Sequence, residues 1–292
     1  MAGLLCLNGG DEFHPGNEPQ DELLRDAARE RPAYIVATAA AQHPEMAVRT
    51  AQRWFDGLGL HVEELPLRSR GDAGRAAAAA AAETAGLFYL VGGDPGRVVR
   101  VLRATRAWDA ITAAWLAGAA LAGSSAGAMA LCEWTLLRKA YPGHTERRPE
   151  PALRVVPGCA VLPHFDTFGE RWIASAQESL GSDAVLVGID ERTSALWADG
   201  SWRAMGAGAV TLVTGARRAR FAAAAASSSR IAARIASFSC GSVHRAITGT
   251  PLPGAAGSAN TSTMVNPCRA AGSSPTRPST TASTARATAV SR

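Results

Sequence analysis

The sequence predicts an α/β fold, a three-layer sandwich in which a parallel sheet lies between helices, on three observations. Short apolar runs alternate with amphipathic stretches, the order expected when strands lie side by side and helices cover both faces. A small apolar run, Ala119 to Ala122, leads into Gly123-Ser124-Ser125-Ala126-Gly127-Ala128, a Gly-x-Ser-x-Gly turn between a strand and a helix-forming run, Ala128 to Trp134. The alternation stops near Thr214, and from there to the end of the chain there are no carboxylate side chains.

In chain order, the first strand is Gly3 to Leu7. It lacks a basic leader and meets acidic residues from Asp11, so it reads as a buried strand and not a signal peptide. Further strands are expected at Tyr34 to Ala37, His61 to Leu65, Leu87 to Val91, Ala119 to Ala122, Cys159 to Leu162 and Val185 to Ile189. Helices fall between them at Asp21 to Glu30, Pro44 to Leu58, Arg75 to Glu83, Gly96 to Thr105, Trp108 to Ala117 and Phe168 to Ser179. A hairpin closes the body, with Ser194 to Ala198 joined to Ala209 to Val213 through Asp199-Gly200.

These elements place one folded domain at 1–214 and a low-complexity segment at 215–292, rich in Ala, Ser, Thr, Arg, Gly and Pro. Such a composition cannot bury enough apolar area to offset an ordering cost of ~1–2 kcal/mol per residue, so the segment is expected to be disordered. Charge divides the same way. Residues 1–200 hold all 25 acidic residues against 19 basic ones, whereas residues 201–292 hold 11 arginines and no acid. The basic pI therefore describes the tail, and no nucleic-acid partner is expected. No apolar run reaches the roughly 18–20 residues of a membrane span. Five widely spaced cysteines, without a C-x-x-C pair or histidines at ligand spacing, read as reduced thiols of a cytoplasmic protein with no metal and no cofactor.

The chemistry centres on Ser125. Glycines at 123 and 127 fit a strained elbow in which a β-carbon would strike the neighbouring strand or helix, so Ser125 is the candidate nucleophile. A serine needs a base. His14, His43 and His61 read as surface or partly buried residues, His144 as part of a solvated turn, and His244 lies in the tail. His164 follows an apolar strand and Pro163, so it should emerge at a carboxyl end of the sheet, where catalytic groups of α/β folds gather. Val91-Gly92-Gly93-Asp94 ends another strand, and the N–H groups of Gly93 and Ala126 are the expected oxyanion donors. Arg97, Arg138 and Arg171 are candidate carboxylate binders. Asp190 and Glu191 are adjacent, so on a strand they face opposite ways and cannot share an ion; a structural role is expected, with Asp190 bonding backbone near the site. Six of the seven tryptophans, at 108, 115, 134, 172, 197 and 202, read as core or interface anchors.

In this order, Asn8-Gly9-Gly10, Val91-Gly92-Gly93-Asp94, the Ser125 turn, His164-Phe165, Gly188-Ile189-Asp190-Glu191-Arg192-Thr193 and Gly206-Ala207-Gly208-Ala209-Val210-Thr211 resemble the serine-peptidase family of cyanophycinase and aspartyl dipeptidase E. The resemblance covers about residues 3–213. It implies a class I glutamine amidotransferase-like (flavodoxin-like) fold for the 1–214 domain. The implied activity is hydrolysis of short peptides or amide-linked amino acids in exopeptidase fashion, and the resemblance leaves room for a homodimer. It places the acid that orients the base in the loop between nucleophile and base, where this chain offers Glu146 and Glu150. It also implies substrate contacts at Gly92, Asp94, Ser124, Asp166 and Arg171. The chain departs from the family at Asp94-Pro95, where members carry Asn-Gln, and at Asp166 to Arg171, where members carry an arginine-rich run. A reading from another class is a silent amidotransferase-like domain that binds a metabolite or a partner protein.

Overall fold

The computed structural model describes residues 2–139, 146–223 and 229–231. The first half of the chain runs β1 (Leu5–Asn8), α1 (Glu18–Ala28), β2 (Ala33–Val36), α2 (Pro44–Gly57), β3 (Glu63–Glu64), α3 (Arg70–Ala73), α4 (Ala76–Glu83), β4 (Leu87–Leu90), α5 (Pro95–Leu102), α6 (Arg106–Leu116), β5 (Ala120–Ser124) and α7 (Ala126–Leu131). The second half runs β6 (Cys132–Arg138), β7 (Arg147–Pro151), β8 (Val156–Leu162), α8 (Ile173–Leu180), β9 (Val185–Ile189), β10 (Thr193–Ala198), β11 (Ser201–Gly206), β12 (Ala209–Thr214), β13 (Arg217–Ala222) and β14 (Ser229–Ile231).

The α/β class and the parallel-rich pairing are as the sequence predicts, but the strands divide between two sheets. The larger has the order β14-β11-β10-β1-β5-β4-β2-β3, and the smaller β13-β12-β9-β8-β6-β7. Strands β1 to β5 are mutually parallel, as are β6, β8 and β9, and antiparallel strands extend both sheets. In β1 and β4 neighbouring side chains go to opposite cores: Leu5, Leu7, Phe88 and Leu90 to one, Cys6, Leu87 and Tyr89 to the other. That two-sided burial explains why these strands read as unbroken apolar runs.

The expected helices form, with ends shifted: Gly96 to Thr105 is observed as Pro95–Leu102 and Phe168 to Ser179 as Ile173–Leu180. Asp94 accepts a bond from the Arg97 amide at 3.1 Å to cap α5, and Thr105 caps α6 by accepting from Trp108. Three expectations change. The expected helix Ala128 to Trp134 stops at Leu131, because the backbone of Cys132–Arg138 pairs with both β7 and β8. Asp199-Gly200, with φ of 51° and 75°, closes the hairpin of β10 and β11, one strand earlier than expected. The boundary at Thr214 falls inside the smaller sheet, since β13 pairs with β12 from Arg217 to Ala222. Its arginine-rich sequence carries no apolar alternation, so backbone pairing, not burial, makes it a strand. The chain clusters into units Met1–Pro253 and Gly254–Arg292, and residues 232–292, with the expected disorder there, lie outside the described residues, as do His144 and His244. Among the described residues no helix is long and apolar enough to cross a membrane.

One buried carboxyl makes the fold sensitive to pH. Asp21 on α1 accepts from Trp54 Nε1 on α2 at 2.8 Å and is 1% exposed. Burial pushes its carboxyl up to about 8 from 3.8. The folded chain therefore holds a proton that the unfolded chain releases, so stability is highest below the unfolded value and falls as pH rises through the interval to about 8. Asp21→Asn, which keeps an acceptor for Trp54, is expected to flatten the melting temperature between about pH 4 and 8. Parallel thermal melts of the two proteins at several pH values check this, and an unchanged slope would refute it.

Candidate active site

The carboxyl ends of β1, β4 and β5 lie level, with Asn8 beside Ser124 and Leu90 beside Gly123. Ser125 follows directly, at φ 47° and ψ −105° between β5 and α7, a left-handed conformation that costs a serine energy. Its amide donates to Asn8 O at 3.0 Å, which holds the turn. The flanking glycines make the turn sterically possible. A β-carbon at Gly123 would lie 2.6 Å from the Gly127 carbonyl carbon, and one at Gly127 would lie 2.2 Å from Leu90 O.

His164 arrives from the second sheet, two residues past the end of β8, with its amide donating to Gly9 O at 2.7 Å. Its ring fits against Gly10, where a β-carbon would lie 2.2 Å from His164 Cε1. Phe168 stacks on the imidazole, ring centroids 4.8 Å apart. Nε2 lies 3.0 Å from Ser125 Oγ, and Nδ1 lies 2.8 Å from Glu191 Oε1. This pattern needs the tautomer with the proton on Nδ1, donating to the carboxylate and leaving Nε2 to accept from the serine hydroxyl.

The carboxylate on His164 Nδ1 is that of Glu191, which the sequence motifs did not single out for this place, whereas Glu146 and Glu150 have other partners. Glu146 pairs with Lys139 at 3.1 Å on an exposed face, and Glu150 pairs with Arg148. Glu133 is engaged elsewhere, with Arg154 and the Gly158 amide. Strand β9 ends at Ile189, so Glu191 lies on the following turn and is free of strand alternation. Because Leu162 pairs with Gly188, that turn lies beside the one carrying His164. Several bonds hold it: the Glu191 amide donates to Asp166 Oδ1 at 3.0 Å, Thr193 Oγ1 donates to Glu191 O at 3.0 Å, and the Arg192 amide donates to Gly10 O at 2.9 Å. Asp190 bonds backbone as expected, accepting from the Ala209 amide at 2.9 Å, and it also pairs with Arg220 of β13 at 3.1 Å. Burial pushes the Asp190 carboxyl up, against the opposing pull of these two donors.

A cavity of about 580 Å³ opens on the serine and is lined by Gly93, Asp94, Ser125, Ala126, Arg138 and His164 among others. The two expected oxyanion donors thus share it with the candidate nucleophile and base. Gly93 has φ 139°, and a β-carbon there would lie 2.2 Å from Ala39 O. The Gly92 amide is spent on Glu12 Oε1 at 3.0 Å, and Glu12 Oε2 accepts from Ser124 Oγ at 2.9 Å. Glu12, a residue no motif singled out, thereby ties the glycine turn to the serine turn. Its sole signal in the sequence is its place just after Gly9-Gly10.

The remaining substrate candidates separate. Asp94 lines the cavity and pairs with Arg100 at 3.3 Å. Ser124 is wholly buried beneath the turn, and Asp166 supports Glu191, so neither lines the cavity. Arg171 is exposed on the short 3₁₀ turn Gly169–Trp172, outside the cavity lining. Arg97 donates to Thr38 O and Arg68 O and acts as a tether.

A model of peptidase family S51 matches residues 4–204. The chain is 26% identical over 219 residues to cyanophycinases of Trichormus variabilis and Nostoc sp., with 73% of each chain covered. Among solved structures, a peptidase from an acI-B1 Actinobacterium is similar at 26% identity and a TM-score of 0.67, over 79% of this chain and 98% of that one. A peptidase E protein from Listeria monocytogenes shares the fold at 17% identity and a TM-score of 0.50, over 77% of this chain and 100% of that one.

Proposed function

Since the chain belongs to peptidase family S51 and is a serine-type peptidase, we propose that it hydrolyses short peptides or amide-linked amino acids with Ser125 as nucleophile, His164 as base and Glu191 as the acid that orients the base. The observation that carries this is the unbroken line of two hydrogen bonds from Ser125 Oγ through the imidazole to Glu191. The serine proton passes to Nε2 as Oγ bonds to the carbonyl carbon, and the carbonyl electron pair moves to oxygen beside the Gly93 and Ala126 amides. Collapse of that intermediate breaks the C–N bond, and the leaving amine takes the proton from Nε2. Water then attacks the acyl-enzyme by the same route, restoring Ser125 and releasing the acid. The Glu191 carboxylate stabilises the imidazolium that forms in each half, and it also prevents the ring from turning.

A serine-reactive fluorophosphonate tests the assignment. Wild-type protein is expected to label, and Ser125→Ala to stay unlabelled and to lose turnover of a panel of α-Asp-X, β-Asp-Arg, γ-Glu-X and neutral dipeptides. Equal labelling of both proteins would place the reactive serine elsewhere. No labelling and no turnover by folded wild-type protein would favour the silent binding domain.

A further inference from the structure

The lining of the cavity contains an arrangement that folding alone does not favour. Arg138 on β6 and Arg147 on β7 are directly opposite partners in an antiparallel ladder, and both line the cavity that opens on Ser125. Like charges at directly opposed positions destabilise a sheet. Among the described residues neither has a carboxylate partner, and residues 140–145 of the intervening hairpin contain no acid. The acids of this hairpin are spent on Lys139, Arg148 and Arg154.

Arg147 is nonetheless held firmly in place. Its guanidinium carbon lies 3.8 Å from the centroid of the Trp172 ring, and its amide donates to Ser175 Oγ at 3.0 Å. Its Nε is buried without a hydrogen-bond partner among the described residues. Burial and the neighbouring Arg138 charge both work against its own charge, lowering it to about 10 from 12.5. Asp94, which also lines the cavity, is already paired with Arg100. The cavity therefore holds more positive charge than its own acids neutralise, beside a nucleophile, and packing holds one of those cations in position.

We propose that Arg138 and Arg147 form a clamp for a carboxylate of the substrate, making them the residues that select negatively charged short peptides over neutral ones. The proposal rests on Ser125 being the nucleophile. A carboxylate bridging the two guanidiniums would relieve their repulsion and gain charge-assisted hydrogen bonds. Such a carboxylate could be the carboxyl terminus of a short peptide or an Asp or Glu side chain.

The test compares matched peptides, free acid against carboxyl-terminal amide and Asp against Asn, on wild type, Arg147→Gln, Arg138→Gln and Arg147→Lys. Wild type is expected to favour the charged member of at least one pair by about tenfold to a hundredfold in kcat/KM. Each glutamine variant should lose most of that preference through KM, and Arg147→Lys should recover part of it. The pair that loses its preference identifies the carboxylate. Two separate glutamine variants, each checked by melting temperature, guard against misfolding of one. A wild type that labels with fluorophosphonate but prefers neither charged peptide overturns the clamp alone, as does a preference that survives both substitutions. A wild type that neither labels nor cleaves overturns the hydrolase reading and the clamp with it.

Discussion

Glu191→Gln is expected to lower kcat by about a thousandfold to ten-thousandfold, while Glu146→Gln and Glu150→Gln leave turnover near wild type. The glutamine keeps the size of the side chain but removes the charge that stabilises the imidazolium. Its amide can also donate to Nδ1, which favours the tautomer with the proton on Nε2, where no lone pair is left to accept from Ser125. Changes of this kind in serine–histidine–acid sites cost ~10⁴ in kcat. The effect should lie in kcat and not KM, since Glu191 reaches the substrate only through the histidine at 2.8 Å. Steady-state kinetics of the three variants decide the matter. Wild-type kcat in Glu191→Gln, or a collapse in either of the other two, would return the acid to the hairpin between nucleophile and base.

A chain ending at Thr214 is expected to be clearly less stable than one ending at Ala223, and less active. The nine residues between them include β13, which pairs with β12 along six positions from Ala209 to Thr214. They also include Arg220, whose guanidinium is largely exposed but whose partner Asp190 is buried. Removing the cation of such a pair leaves a buried carboxylate without its counter-charge, held by the Ala209 amide. Discounted for the exposure of Arg220, the combined loss is about 2 kcal/mol or more, a fall in melting temperature of about 4–8 °C. Asp190 Oδ2 also accepts the Ala209 amide, and Glu191 is the next residue. Disturbing Asp190 should therefore displace the acid and lower turnover in the shorter chain. Thermal melts and kinetics on the two chains would show it, and equal values would return the domain boundary to Thr214.

The parts of this protein that the sequence alone determines are those set by neighbours in the chain. Fully buried parallel strands such as Leu87–Leu90 and Ala120–Ser124 read as apolar runs because both of their faces are covered. The serine turn is legible because only glycine tolerates the close approach of Gly123 to α7 and of Gly127 to β4. His164 is legible because a polar residue just past an apolar strand must lie at a sheet end. Pairing across long separations was not written locally. Only the tertiary structure put β8 beside β9 and so brought Glu191, 27 residues beyond His164, to the imidazole, while Glu146 and Glu150, closer in sequence, were left on an outer hairpin. It likewise made a strand of the arginine-rich Arg217–Ala222 and set Arg138 opposite Arg147, since both depend on register. Backbone hydrogen bonding across a sheet depends little on side-chain identity, so composition cannot announce it, whereas steric demands at a turn are met by particular residues and can be read directly.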